Sequence, residues 1–207
     1  IAAALATDLQ VRLRFVDSSF MTLASDLLND ACDVAMFGVA MSPQRMERLK
    51  FSAPYLQSGI YAVTTRTSPL VRKWDDIDQP GIMVGVQAGT FMEPVMRQHL
   101  RHARLVSIQP PQTRERELQA GRVDVFMADY PYGRSLAETT DWAALLGPAA
   151  PFHPLPYAYP VKPGDAQWLA TLDVFVESIR RDGRLDAAAR RHGLDHLLRP
   201  AIARPNP

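Results

Sequence analysis

One short pattern occurs twice in this chain. Asp30-Ala31-Cys32-Asp33-Val34-Ala35-Met36-Phe37-Gly38 is echoed about ninety residues later by Gly121-Arg122-Val123-Asp124-Val125-Phe126-Met127-Ala128-Asp129. Each copy follows a polar stretch carrying a leucine, Leu27 in one and Leu118 in the other, and delivers an Asp and then an apolar run. Such runs are too short for a helix and suit a buried parallel strand. A chain with two such units is predicted to form two α/β lobes. Ligands of open α/β sheets sit beyond the carboxyl ends of the strands. Gly38 and Asp129, at the ends of the two runs, are therefore candidates to face one cleft; two ordinary βαβ units without a shared site are the alternative.

The rest of the chain fits alternating strands and helices. Ile1 to Leu9 is apolar at helical spacing with no N-cap ahead of it, so the sequence is expected to start inside a helix. Val11 to Val16 alternates with period two and reads as a strand, and Asp17-Ser18-Ser19 leads into a helix from Met21 to Leu28. The run from Val34 to Ala40 ends at Ser42 and Pro43, an N-cap and a first helical residue, which predict a short helix to Arg48. Further strands are expected at Ile60 to Thr65, Ile82 to Val86, Arg104 to Ile108 and Val123 to Met127. Helices are expected at Met92 to His102, Thr113 to Ala120, Asp165 to Arg181 and Leu185 to His192, the last two stopped by Gly183 and Gly193. The Pro-rich passage from Pro148 to Pro163 suits a return crossover between lobes.

Two side chains stand out chemically. Arg45 lies one turn into the helix opened by Ser42 and Pro43, where a guanidinium beside free backbone N–H groups suits bidentate capture of a carboxylate; a surface arginine like Arg48 is the alternative. Asp129 supplies an anion at the matching strand end, and an amine is its natural ligand. Asp129 also stands where it could cap a helix ahead of Pro131. Arg for a carboxylate and Asp for an ammonium together describe an α-amino acid.

The segment Ser42-Pro43-Gln44-Arg45-Met46-Glu47-Arg48-Leu49-Lys50-Phe51-Ser52-Ala53-Pro54-Tyr55 resembles the signature of bacterial extracellular solute-binding proteins of family 3, the polar amino-acid binders of ABC importers. Val84-Gly85-Val86-Gln87-Ala88-Gly89-Thr90, the Gly121 to Asp129 segment and Lys162-Pro163-Gly164-Asp165 follow in the same order and spacing. The resemblance implies an α/β, two-lobe, periplasmic-binding-protein-like fold, each lobe a mainly parallel sheet flanked by helices, with two hinge crossings. Lobe 1 would be residues 1–57 and 159–207, lacking its first strand, and lobe 2 residues 58–158. It implies that Arg45 clamps the ligand carboxylate, helped by backbone groups of Gly38 and Ala40 and by Gly89, Thr90 and the Phe91 N–H. Asp129 would take the α-amino group and Phe20 would stack on the ligand, unless Phe20 is simply a core residue. Relatives often carry Ser or Thr where this chain has Gly38 and Ala40, which leaves only main-chain contacts there. The resemblance further implies an exported, periplasmic protein that needs no cofactor and works with a membrane permease, or with the membrane domain of a receptor.

Composition excludes other classes. With 23 Lys and Arg against 22 Asp and Glu, the chain shows no electrostatic footprint for nucleic acid. Cys32 is the single cysteine, so no disulfide framework or thiolate metal site is available. His99, His102, His153, His192 and His196 lie outside any paired metal spacing. Ser18, Ser19 and Ser135 have no GxSxG context, and Gly85 to Gly89 does not make GxGxxG. The enzymatic alternative is a cyclohexadienyl dehydratase, similar to these binders in fold, whose general acid follows the Gly-Thr turn. Glu93 is the only local candidate for that acid, while Met92 occupies the matching position.

Overall fold

The structure, a computed structural model, describes residues 1–198, so positions 199–207, the end of the expected return segment, lie outside it. In chain order its first elements are α1 (Ala2–Asp8), α2 (Leu23–Leu28), α3 (Pro43–Met46), β1 (Lys50–Phe51), β2 (Leu56–Ser58) and β3 (Ile60–Thr65). Next come β4 (Met83–Gln87), α4 (Met92–His99), β5 (Arg104–Ile108), α5 (Arg114–Gln119), β6 (Val125–Asp129), α6 (Tyr130–Thr139) and β7 (Ala143–Leu146). The chain returns through β8 (Leu155–Tyr157) and β9 (Pro160–Val161) to α7 (Ala166–Arg181) and α8 (Arg184–Arg191). These form two compact units: Ile1–Gln57 with the chain from Leu155 onward, and Ser58–Pro154. The sequence reading sets that second boundary at 158.

The second unit is built on a five-stranded sheet in the order β5-β4-β6-β3-β7. Strands β5, β4 and β6 run parallel, and β3 is antiparallel to both of its neighbours. Its centre is β6, where Val125, Phe126, Met127 and Ala128 are all fully buried. A strand covered on both faces must be apolar on both, hence a continuous run rather than an alternation. Val63, Ile108, Leu118, Val123, Phe126 and Ala143 close into one core, where each large side chain contributes about 1.5–3 kcal/mol. Because β4, β5 and β6 are parallel, the starts of α4, α5 and α6 gather at a single edge of the sheet, the edge that also carries Ile60, the register partner of Asp129.

The first unit corrects the sequence reading in two places. Val11 to Val16 is not a strand: Val11, Leu13 and Phe15 are exposed, and no backbone hydrogen bond ties Arg12 to Asp17 to a neighbour among the described residues. Alternation describes a surface that could pair, and a strand exists only where a partner satisfies its N–H and C=O groups. The first copy of the repeated pattern, Val34 to Ala40, is not a strand either. Its backbone touches the returning chain at scattered points, with Ala35 N–H on Pro160 O at 3.2 Å, Ala158 N–H on Val39 O at 3.2 Å and one bridge between Ala40 and Tyr157. Gly38, at φ +81°, turns the chain out of extended geometry. Consequently the described sheets of this unit are two-stranded, β1 with β9 and β2 with β8. The apolar side chains of the copy do enter a core, with Ala35 and Val39 packing on Leu23, Leu27 and Leu49.

Candidate functional site

In the first unit the region around Arg45 is assembled by a short helix and two loops. Pro43 opens α3 with Ser42 extended at its N-cap position, although the Ser42 side chain makes no cap bond. That start aims Arg45 back along the chain, and its Nη1 donates to Ala40 O at 3.1 Å. The guanidinium carbon lies 5.4 Å from the centre of the Phe20 ring, within the range of a cation–π contact. Phe37 meets Phe20 edge-to-face at 5.2 Å. Phe20 packs its body on the Leu23 and Leu27 core, as the core alternative has it, and its ring also faces the Arg45 guanidinium. Ala40 is buried and pairs with buried Tyr157. Burial lowers the Arg45 pKa from its ordinary value to about 10, with Tyr157 pulling the other way. A guanidinium stripped of water in this way is stabilised by any carboxylate that reaches it.

In the second unit the expected residues lie at the gathered helix starts. Gly89, at φ +77°, makes the turn after β4 that only glycine adopts without strain. Buried Thr90 donates its hydroxyl to Gln87 O at 2.7 Å. Phe91 is the N-cap residue of α4 and is also buried. The first N–H groups of such a helix have no intrahelical acceptor and favour an anion. Asp129 caps α6, accepting the Tyr132 N–H on Oδ1 at 2.9 Å. The capping alternative for Asp129 is therefore real, and it fixes the carboxylate at the sheet edge.

Neighbours of Asp129 that the sequence did not single out form a packed polar cluster. Arg114 donates Nη1 to Met127 O at 3.0 Å and stacks over the Tyr132 ring at 4.5 Å. The Tyr132 hydroxyl donates to Glu115. Burial first, and then this bond, push the Tyr132 pKa up to about 12. Their only signal in the sequence was their place at the starts of two helices leaving the same edge. Glu93, the acid of the enzymatic alternative, lies on α4 and pairs with Arg97 one turn along at 3.1 Å. Among the described residues no group of three or more His, Cys, Asp or Glu is placed to hold a metal ion. No described helix is long and apolar enough to cross a membrane.

The pattern of bacterial extracellular solute-binding proteins, family 3, matches residues 1–195. A cyclohexadienyl dehydratase of Pseudomonas aeruginosa is 27% identical over 199 residues, 96% of this chain and 72% of that protein. The L-cystine-binding protein TcyJ of Escherichia coli is 27% identical over 187 residues, 90% of this chain and 69% of that protein. Among solved structures, the amino acid ABC transporter substrate-binding protein AbpA of Streptococcus pneumoniae, bound to L-arginine, matches with a TM-score of 0.79 at 22% identity. That match covers 96% of this chain and 83% of AbpA. The fold class is accordingly the α/β fold of the two-lobe periplasmic binding proteins.

Proposed function

The chain belongs to the bacterial extracellular solute-binding proteins, family 3, and from that premise we propose that it is a periplasmic, non-catalytic binder that closes its two units around a small α-amino acid. Arg45 holds the α-carboxylate, with the backbone of Gly38 and Ala40 beside it and Phe20 stacking on the ligand. Gly89, Thr90 and the Phe91 N–H add donors from the second unit, and Asp129 takes the α-ammonium. Closure around a ligand is how two-unit binders turn contacts into a signal, and the partner that reads it is a membrane permease of the ABC type or the membrane domain of a receptor. The kinship with AbpA supports the permease.

The observation that carries this reading is the half-buried guanidinium of Arg45 against Phe20 and Ala40 O, with its pKa lowered by lost solvation. The test is a calorimetric titration with a panel of α-amino acids. Arg45→Ala is expected to weaken binding by about 2–5 kcal/mol, the cost of truncating one partner of a buried hydrogen-bonded charge pair. Unchanged affinity would remove Arg45 from the site and with it this function.

A second reading, prephenate or arogenate dehydration, draws on the Pseudomonas relative. Elimination needs a proton donor in reach of the departing hydroxyl, and the one sequence candidate, Glu93, is tied to Arg97. We expect no phenylpyruvate from prephenate above the uncatalysed rate. Turnover that falls by roughly two to four orders of magnitude in Glu93→Gln would establish the enzyme instead.

A further inference from the structure

The second unit holds a cleft remote from Asp129. It has a volume of about 330 Å³ and is lined by Thr64, Thr65, Arg66, Ser68, Val71 and Arg72, with Ala144 and Leu146 of β7 and the intervening Thr67. Strand β3 fixes its distance from the expected ligand groups, because Ile60 is the register partner of Asp129 whereas Thr64 and Thr65 pair with Ala144 and Ala143. Four residues of strand separate the two places by roughly 13 Å. The cleft is thus a separate place on the same sheet.

Its chemistry is one-sided. Arg66 donates Nη2 to Ala137 O at 2.8 Å, and Arg72 makes a long contact from Nε to Ser68 O at 3.5 Å. Neither guanidinium is in an ion pair among the described residues. The Asp76 carboxylate lies beside Arg72: its Oδ2 accepts from the backbone N–H groups of Arg72 and Lys73, at 2.9 and 3.1 Å, and these bonds, with the Lys73 and Arg72 charges, hold its pKa below the usual carboxylate range. The hydroxyls of Thr65 and Thr67 add donors at the rim, and Val71, fully buried, supplies an apolar floor with Ala144 and Leu146. Guanidinium forks match carboxylate and phosphate oxygens in two-point contacts, and two of them balance two negative charges. The volume suits a small molecule rather than a peptide.

We propose that this cleft binds a small dianion, such as hydrogen phosphate or a short dicarboxylate, through Arg66 and Arg72. The proposal is independent of the amino-acid site. It is tested by titrating the intact protein with inorganic phosphate and, separately, with succinate, followed by calorimetry or by shifts of backbone amide resonances. Binding of at least one of the two is expected, with affinity falling at least about tenfold in Arg66→Gln/Arg72→Gln. Arg72→Gln alone, which removes the long contact to Ser68 O and the charge beside Asp76, is expected to show part of that loss. Arg45→Ala is expected to leave dianion binding unchanged. Phosphate binding without succinate binding, or the reverse, identifies the headgroup. Binding of neither at millimolar concentration, or binding that survives the double variant and disappears in Arg45→Ala, overturns the proposal.

Discussion

Asp129 caps a helix and, in the proposed function, also binds the ligand ammonium, and substitution separates the two. As the N-cap of α6 it accepts the Tyr132 N–H, a role that Asn fills about as well and Ala does not. Asp129→Asn is therefore expected to melt close to the parent, and Asp129→Ala to lose about 0.5–2 kcal/mol, read by denaturant unfolding. A ligand ammonium needs the charge and a cap does not, so Asp129→Asn should weaken α-amino acids far more than the matching α-keto acids. Equal weakening of both classes would leave Asp129 as a cap alone. At this scale the sequence supplies candidates through residue type: an Arg after Ser-Pro and an Asp after an apolar run each have few uses, and for Asp129 the structure shows one of them, the cap. It could not reveal Arg114, Glu115 and Tyr132 beside Asp129, because their cluster depends on two helices separated in sequence leaving one sheet edge. Asp78 is a third case. Burial pushes its carboxyl up, but N–H donors from Ala103, His102 and Arg101 outweigh that and hold it below the usual range. A carboxyl depressed in the folded state stabilises it above the unfolded value, near pH 4, and loses that contribution as pH falls through the folded value. The melting temperature should drop as the pH falls below about 4, and Asp78→Asn should lower it at neutral pH while flattening the acid limb. An acid limb of unchanged slope would contradict this role for Asp78.

At the level of elements, strands with a neighbour to pair with were legible and candidates without one were not. The run Arg104 to Ile108 is a strand end to end, and the Val123 to Met127 reading finds β6 displaced by two residues. Both lie in the parallel part of the sheet, where the neighbouring strands exist. Val11 to Val16 and Val34 to Ala40 carry as good a local pattern, but pairing is a property of neighbours, not of a segment. Helix α6 and strand β7 went unread because Pro131 and Gly133 disguise the helix, although the Asp129 cap and Pro131 in the first turn are a legitimate start signal. Two glycines make this packing testable. A Cβ on Gly59 would lie 2.6 Å from the backbone oxygen of Phe152, the same oxygen that accepts the Ile60 N–H. A Cβ on Gly133 would also meet an atom at 2.6 Å, but that atom is Cδ1 of Leu145, the end of a flexible side chain. Gly59→Ala should cost about 1–3 kcal/mol or more as an overpacking strain. Gly133→Ala should cost less, because Leu145 can turn aside and Ala gains about 1 kcal/mol over Gly inside a helix. The reverse order in denaturant unfolding would show that the α6 contact is the tighter one.

For the whole molecule, the proposed function requires that groups from both compact units hold one ligand. The first unit offers Arg45 with Phe20, Gly38 and Ala40, and the second offers Asp129 with Gly89, Thr90 and Phe91. The sequence made this division visible through a repeated pattern, even though only its second copy forms a strand. A single calorimetric cycle addresses the claim, titrating the amino acid bound most tightly by the parent into the parent, Arg45→Ala, Asp129→Asn and the double variant. Groups that grip opposite poles of one ligand are coupled through it. Each single variant is therefore expected to lose about 2–5 kcal/mol of binding free energy, and the double variant to fall below detection with no loss of folding. Should either single variant bind the amino acid as the parent does, only one unit holds the ligand, and closure of the two units around an amino acid is contradicted.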